Sequence, residues 1–404
     1  MNRSLSSYLN LLRFLAALAV YISHAGYFTK LRIPYVGNMG SEAVFVFFVL
    51  SGMLITFSGM KQPDGYAFLR ARLVRLWSVC LPALVLTMVW DTIGQSISLD
   101  AYSPMQPYNI FKWVASLGLN ALFLNQVWHA NIYPGTNGPF WSLSYEFWYY
   151  MIFAAAVYFS GKKKYIAIAC AAAIAGPDIL VGLPIWLLGS AVHFAVARRG
   201  TSALVGWTFW LGSIVAALAF SAFNAGPVLA ETFPGIAAGA KWKVGFWPAS
   251  YLIGVLVAIN IYGFSRIADR FQAVLQRFAW PIQVGADLSF GLYLFHYPLM
   301  YFIKAILYGA KLTSGPVFVA AIYLVPFLVA AWLALLCERH KGWIGKLIDQ
   351  VGNVARPGWS KPANNDVAIR LDDLLLPPQP SASVAAMKSA FPDKTGSERR
   401  DQSD

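Results

Sequence analysis

Residues 42–60 read EAVFVFFVLSGMLITFSGM, and residues 61–75 continue KQPDGYAFLRARLVR. The first stretch is an apolar run with its one carboxylate at the edge, and about 20 such residues cross a hydrocarbon core as a helix. The second brings Lys61, Arg70, Arg72 and Arg75. An apolar run followed by a basic segment marks a span that ends at the cytoplasmic face. The same alternation extends outward in both directions. We read ten spans, at 8–28, 42–60, 74–95, 140–160, 164–182, 184–199, 204–223, 246–264, 285–309 and 315–337. Basic clusters follow every second one: Lys162, Lys163 and Lys164, then Arg198 and Arg199, then Arg266, Arg270 and Arg277, then Arg339, Lys341 and Lys346. The opposite loops carry few cations beyond Lys30, Arg32, Lys241 and Lys243. Both termini are therefore expected in the cytoplasm. A further apolar run at 109–126 would break this parity if it crossed. Segment 96–139 is accordingly read as an outer-face loop whose amphipathic helix, with Trp113, Leu117 and Phe123, lies at the interface or dips into it. The expected fold class is all-α: a polytopic membrane domain over 1–350, followed by a polar, disordered cytoplasmic tail over 355–404.

Composition excludes the soluble alternatives. Of 404 residues, 58% are hydrophobic and only 12% charged, where a soluble domain carries about 25% charged. Aromatics reach 16%, with 15 Trp, as interfacial belts require. The net charge of +13 sits in short juxtamembrane clusters, so the expected partner is the lipid bilayer and no nucleic acid. Cys80, Cys170 and Cys337 form no C-x-x-C pair, and the five His are scattered. Neither a disulfide framework nor a metal site is expected. Arg13 interrupts what would otherwise resemble a signal-peptide core, so the first span reads as uncleaved.

Ionisable residues inside spans are costly and are candidates for function. Arg13 and His24 share the first span, eleven residues apart and so about 16 Å apart along the axis. Arg13 is either a snorkelling anchor or a functional cation, and His24 either a satisfied core group or a reactive one. Glu146, in Trp141-Ser142-Leu143-Ser144-Tyr145-Glu146, reaches a depth similar to His24. A carboxylate beside an imidazole could fix its tautomer; the other reading is a structural hydrogen bond. His296 either takes part in function or bonds a backbone group freed by Pro298. Asp91, Asp178 and Glu42 read as solvated anchors near outer span ends. Arg70, Arg72 and Arg75 suit either ordinary topology or the gripping of phosphates.

In five places the chain resembles acyltransferase family 3, bacterial inner-membrane enzymes that move acyl groups from acyl-CoA to sugar hydroxyls. The first is Leu12-Arg13-Phe14-Leu15-Ala16-Ala17 with His24. The second is Phe47-Phe48-Val49-Leu50-Ser51-Gly52-Met53-Leu54-Ile55. The third is Arg70-x-Arg72-x-x-Arg75. The fourth is the Trp141 to Glu146 run with Tyr149. The fifth is Gly291-Leu292-Tyr293-Leu294-x-His296-x-Pro298. Ser78, Phe147 and His340 depart from the family's pattern. The resemblance implies a multi-pass protein of the inner membrane with acyl-CoA, expected as acetyl-CoA, as co-substrate and no permanently bound cofactor. It implies Arg13, Arg70, Arg72 and Arg75 as phosphate-holding residues, and His24 as general base with Glu146 orienting it or holding the sugar. Ser51, Trp141, Ser142, Tyr149, Tyr293 and His296 would support the acceptor. The expected acceptor is an exopolysaccharide, lipopolysaccharide or lipid-linked glycan, with Trp128, His129 and Tyr133 as its platform. A homo-oligomer stays open. The competing reading is a secondary transporter or flippase of a polar metabolite, against which stands the lack of an inverted repeat.

Overall fold

The computed structural model describes residues 2–31, 33–37, 39–103, 110–198, 202–232 and 248–352. The tail expected at 355–404 lies outside them, as do Arg32, Arg199, Lys241 and Lys243. Two units divide the chain at residue 363; only the first contains described residues. It is built of helices α1 (Arg3–Thr29), α2 (Gly40–Gly59), α3 (Gly65–Ile97), α4 (Ile110–Ala121), α5 (Trp141–Tyr158), α6 (Gly161–Ala175), α7 (Pro177–Ala197), α8 (Ala203–Ala222), α9 (Ala225–Thr232), α10 (Pro248–Ile267), α11 (Gln272–Arg277), α12 (Ala279–Gly309) and α13 (Pro316–Gly352), with short 3₁₀ turns between some of them. No strand occurs among the described residues. The protein is an all-α, multi-pass membrane protein.

Nine of the ten expected spans fall on one helix each, and the tenth, 164–182, is divided between α6 and α7. Among the described residues eight are long and apolar enough to cross a bilayer: α1, α2, α3, α7, α8, α10 continued through α11, α12 and α13. The other two are α5, with 18 residues, and α6, with 15. At 1.5 Å per residue α6 extends only about 22 Å, short of a core of about 30 Å. Helix α4, with 12 residues, is shorter still, at about 18 Å.

Boundaries differ from the hydropathy reading where capping overrides it. The side chain of Asp64 accepts the Ala67 N–H at 2.7 Å, so α3 starts at Gly65. Its first turns carry the whole Arg70–Arg75 cluster, which hydropathy had left largely in a loop. The break expected at residue 183 lies instead at Gly176, where φ is +78° and Pro177 opens the next helix. A glycine there takes a backbone conformation that a side chain resists, and proline suits the first helical position.

Helix α1 packs between α2 and α12; α12 also packs on α3 and α13, while α2 packs on α7, and α7 and α8 pack on α10. Prolines inside these helices free carbonyls that lipid cannot satisfy, and beside three of them tyrosine or asparagine side chains donate to nearby carbonyls. Pro326 releases the carbonyl of Ile322, and the Tyr21 hydroxyl donates to Tyr323 O at 2.8 Å and reaches Ile322 O at 3.3 Å. Around Pro184 the hydroxyls of Tyr149 and Tyr251 donate to Ile179 O at 2.9 Å and Val181 O at 2.5 Å. Pro298 releases Leu294 O, which receives Asn137 Nδ2 at 3.0 Å.

The α2–α7 seam is backbone against backbone. A Cβ on Gly52 would stand 1.9 Å from Trp186 O, and one on Gly189 would stand 1.9 Å from Val49 O. Small residues permit this approach, as is common between membrane helices. Gly52→Ala should therefore lower stability by about 1–3 kcal/mol through overpacking, read as a lower thermal midpoint in detergent. Gly118→Ala, where an added Cβ meets nothing within 4 Å, should instead raise stability by up to about 1 kcal/mol through helix propensity.

Candidate active site

Five helices, α1, α2, α3, α5 and α12, enclose a cavity of about 200 Å³. Its aromatic and aliphatic wall includes Phe47, Phe48, Leu54 and Phe290. Its charged groups are Arg13, Arg72, Arg75 and Glu146, and Ser51, Ser142, Tyr150 and Tyr293 add hydroxyls. Seven residues singled out in the sequence thus meet here, from all five motifs.

The electrostatics are unbalanced. No ion pair among the described residues involves Arg13, Arg72 or Arg75. The buried Arg72 Nε has no hydrogen-bond partner. Glu146 lies within electrostatic reach of Arg13 and Arg72, while Arg75 repels both. The carboxylate has other bonds: Ser51 Oγ donates to Glu146 Oε1 at 2.9 Å, and the Tyr150 hydroxyl donates to the same oxygen. Trp186 Nε1 in turn donates to Ser51 Oγ at 3.2 Å. Three guanidiniums facing one already bonded carboxylate leave the cavity with an excess of positive charge, which a low-dielectric setting makes favourable to an anionic group.

Arg70 does not belong to this group. Its Nε and Nη2 donate to Asp349 Oδ1 and Oδ2 at 2.5 and 2.6 Å, a two-pronged ion pair with the end of α13. The reason is helical geometry. Positions two apart do not share a face, whereas positions three apart do, so Arg72 and Arg75 turn inward together and Arg70 turns away. The cation that completes the cluster is Arg13, from α1.

His24 also takes a partner other than the expected one. Glu146 is bonded to Ser51 and Tyr150, and His24 Nδ1 lies 2.8 Å from His296 Nε2. The two rings stack at 5.1 Å between centroids, 14° from parallel. His296 is fully buried, and its Nδ1 lies 2.8 Å from Leu292 O. The carbonyl that Pro298 frees is Leu294's, which Asn137 takes, so His296 does not serve that purpose. Neither histidine lines the cavity. Tyr293 connects the two regions: it lines the cavity, and its ring lies 6.4 Å from that of His296. The Tyr293 hydroxyl donates to Pro139 O at 2.9 Å and so accepts from Ser142 Oγ at 2.9 Å. Tyr149 commits its hydroxyl to Ile179 O, and Trp141 packs on Phe48 and Tyr145; neither reaches the cavity.

The loop before α5 holds this arrangement in place. Asp91, expected as a solvated anchor, is fully buried. Its carboxylate accepts from Thr136 N at 2.8 Å and from Thr136 Oγ1 at 2.7 Å. Hydropathy placed Asp91 at a span end but gave no view of the loop that folds over it. On the neighbouring surface, His129 Nδ1 pairs with Asp178 Oδ1 at 2.9 Å and Trp128 N donates to Ala175 O at 3.1 Å. Two of the three expected platform residues are thus tied to the α6–α7 break.

Residues 6–336 match the family described as an acyltransferase domain. The chain is similar to an O-acetyl transferase of Shigella phage Sf6, 27% identical over 43% of this chain and 56% of that protein. It is also similar to acyltransferase MdmB of Streptomyces mycarofaciens, 30% identical over 35% of this chain and 36% of that protein. The chain thus spans about half or less of the length of these curated relatives. No solved structure matches it.

Asp91→Ala should strand the Thr136 N–H and hydroxyl, at about 1–3 kcal/mol for each buried unsatisfied group. The expected result is a lower thermal midpoint and faster proteolysis within 134–139. Arg70→Gln, which breaks a partly exposed pair, should change stability by less than about 1 kcal/mol.

Proposed function

The chain belongs to the acyltransferase domain family that its motifs resemble, and from that premise we propose that it is a membrane O-acyltransferase. Its donor is an acyl-CoA, with acetyl as the expected group, and its acceptor is a sugar hydroxyl of an exopolysaccharide, lipopolysaccharide or lipid-linked glycan. The protein works in the bacterial inner membrane with both termini in the cytoplasm. The observation that carries this reading is the trio of unpaired guanidiniums, Arg13, Arg72 and Arg75, facing a cavity inside the bundle.

The cavity's size limits what enters it. At about 200 Å³ it is smaller than the ~300–1,000 Å³ of ordinary small-molecule sites. It takes a thin arm or a single anionic group, not a whole nucleotide. The arginines grip phosphate in the half of the bundle nearer the start of α1, since Arg13 precedes His24 by eleven residues. The thioester reaches past Tyr293 toward His24. There His24 takes the proton of the acceptor hydroxyl, the oxygen attacks the thioester carbonyl, the carbon–sulfur bond breaks, and protonated His24 returns that proton to the departing sulfur so that CoA leaves as the thiol and the base is regenerated. General-base help of this kind is worth about 10²–10⁴-fold. Glu146, held by Ser51 and Tyr150, keeps the arginine cluster from excessive positive charge and orients the donor arm.

Membrane vesicles carrying the protein, supplied with acetyl-labelled acetyl-CoA, test the reaction. Label should pass into lipid-linked or polymeric glycan with the wild type and not with His24→Ala. Transfer by neither protein, together with passage of a polar metabolite that needs no acyl donor, would overturn the reading in favour of a transporter. Arg72→Gln and Arg75→Gln should each raise KM for the donor about tenfold or more, a charged hydrogen bond being worth about 1.5–3 kcal/mol. Arg70→Gln should leave KM within about twofold, because Arg70 is bonded to Asp349 outside the cavity.

A further inference from the structure

We infer that His296 is a positioning residue: through a relay anchored on the Leu292 carbonyl it holds the proton of His24 on Nδ1 and leaves His24 Nε2 as the bare, basic nitrogen. This rests on the proposed role of His24 as base and adds to it the group that selects its tautomer.

The argument follows from which atoms can donate. A peptide carbonyl only accepts, so at 2.8 Å from Leu292 O the His296 Nδ1 must carry hydrogen. In a neutral imidazole one nitrogen donates and the other accepts. His296 Nε2 is then the acceptor, and the atom 2.8 Å away, His24 Nδ1, must be the donor. A neutral His24 with its hydrogen on Nδ1 has its lone pair on Nε2. Among the described residues that nitrogen has no hydrogen-bond partner, and the residue is only half-buried.

The opposite polarity would need a charged His296. That ring is fully buried, and no carboxylate pairs with either histidine among the described residues. A buried imidazolium without a counter-charge is expensive, so the neutral relay is the stable one. The surrounding hydroxyls do not compete for it. Tyr21 is bonded to Tyr323 O, Tyr293 to Pro139 O, and Tyr297 to Tyr301. Their rings enclose the pair while their polar ends point elsewhere.

The relay has a chemical purpose. A free histidine side chain prefers its proton on Nε2, which would block that nitrogen as a base. In hydrolases with a catalytic triad, a carboxylate on Nδ1 reverses the preference. Here a second imidazole and a backbone carbonyl do so without placing a negative charge in the membrane interior. When Nε2 accepts the acceptor's proton, the resulting cation keeps its Nδ1–H bond to a neutral partner.

The tautomer can be read directly by ¹⁵N NMR of histidine-labelled protein in nanodiscs. The chain has five histidines, and the His24 signals are assigned by their loss in His24→Ala. The wild type should show His24 protonated at Nδ1 and bare at Nε2. His296→Phe removes the acceptor and should move the His24 proton mainly to Nε2. His296→Gln keeps an acceptor oxygen and should retain the Nδ1–H form. In the transfer assay His296→Phe should lower kcat about 100-fold at unchanged donor KM, and His296→Gln should recover most of that loss. A wild-type His24 protonated at Nε2, or one whose tautomer ignores His296→Phe, would overturn the relay. If His296→Phe fails to fold, the wild-type and His296→Gln spectra still decide the matter. The expected tautomer combined with full activity of His24→Ala would instead overturn the base role and leave the relay standing.

Discussion

The bond from Asn137 Nδ2 to Leu294 O governs much of what surrounds it. Pro298 withholds the N–H that Leu294 O would receive in a regular helix, and inside a bilayer no water replaces it. The substitute comes from the loop ahead of α5. That loop is held on its other side by Asp91 through Thr136. A defect in α12 thus becomes an attachment point, and the loop enters α5 in a set position. Ser142 then meets Tyr293, and Tyr293 meets Pro139. The turn of α12 that carries Tyr293 and His296 is consequently fixed from outside the helix as well as from within it.

The arginines follow the reverse logic. Several carbonyls beside prolines receive side-chain donors. Arg13, Arg72 and Arg75 form no ion pair among the described residues, although Glu146 is close enough to serve. Two hydroxyls hold Glu146 instead. Three guanidiniums around one carboxylate leave a net positive charge that an anionic ligand would offset. Arg70 shows the contrast: given an available carboxylate, Asp349, it forms a two-pronged pair.

Most of the fold was legible in the sequence, because runs of about 20 apolar residues and alternating basic segments reflect one dominant energy, the transfer of side chains and backbone into lipid. All ten apolar runs are helical, although 164–182 is split between two helices. The errors fell where local chemistry outweighed hydropathy, as at Gly176–Pro177 and at the Asp64 cap. The residues around the cavity were legible as types, since Arg13, Glu146 and His24 are anomalous inside a span. Their pairing was not. Sequence spacing within α3 was enough to separate Arg70 from Arg72 and Arg75 by helical phase, but the hydropathy reading had left them in a loop. The partners of His24 and Asp91 lie 272 and 45 residues away, and nothing in one sequence encodes contacts of that range.

The two polar centres differ in a way that fits a membrane enzyme working on a charged donor. The arginine cavity is short of negative charge and open to hydroxyls, while the histidine pair is neutral, enclosed by aromatic rings and tied to a backbone carbonyl. Separation protects both. A carboxylate set on His24 would have drawn the arginines toward it, about 16 Å away along α1, and would itself have been costly to bury. An imidazole–carbonyl relay orients the base without entering the electrostatic balance of the anion site. Under the proposed function, the bundle would hold a polyanionic donor in the half nearer the start of α1 and a proton acceptor in the other half, with Tyr293 between them and no charged bridge that would collapse the two into a single salt-bridged core.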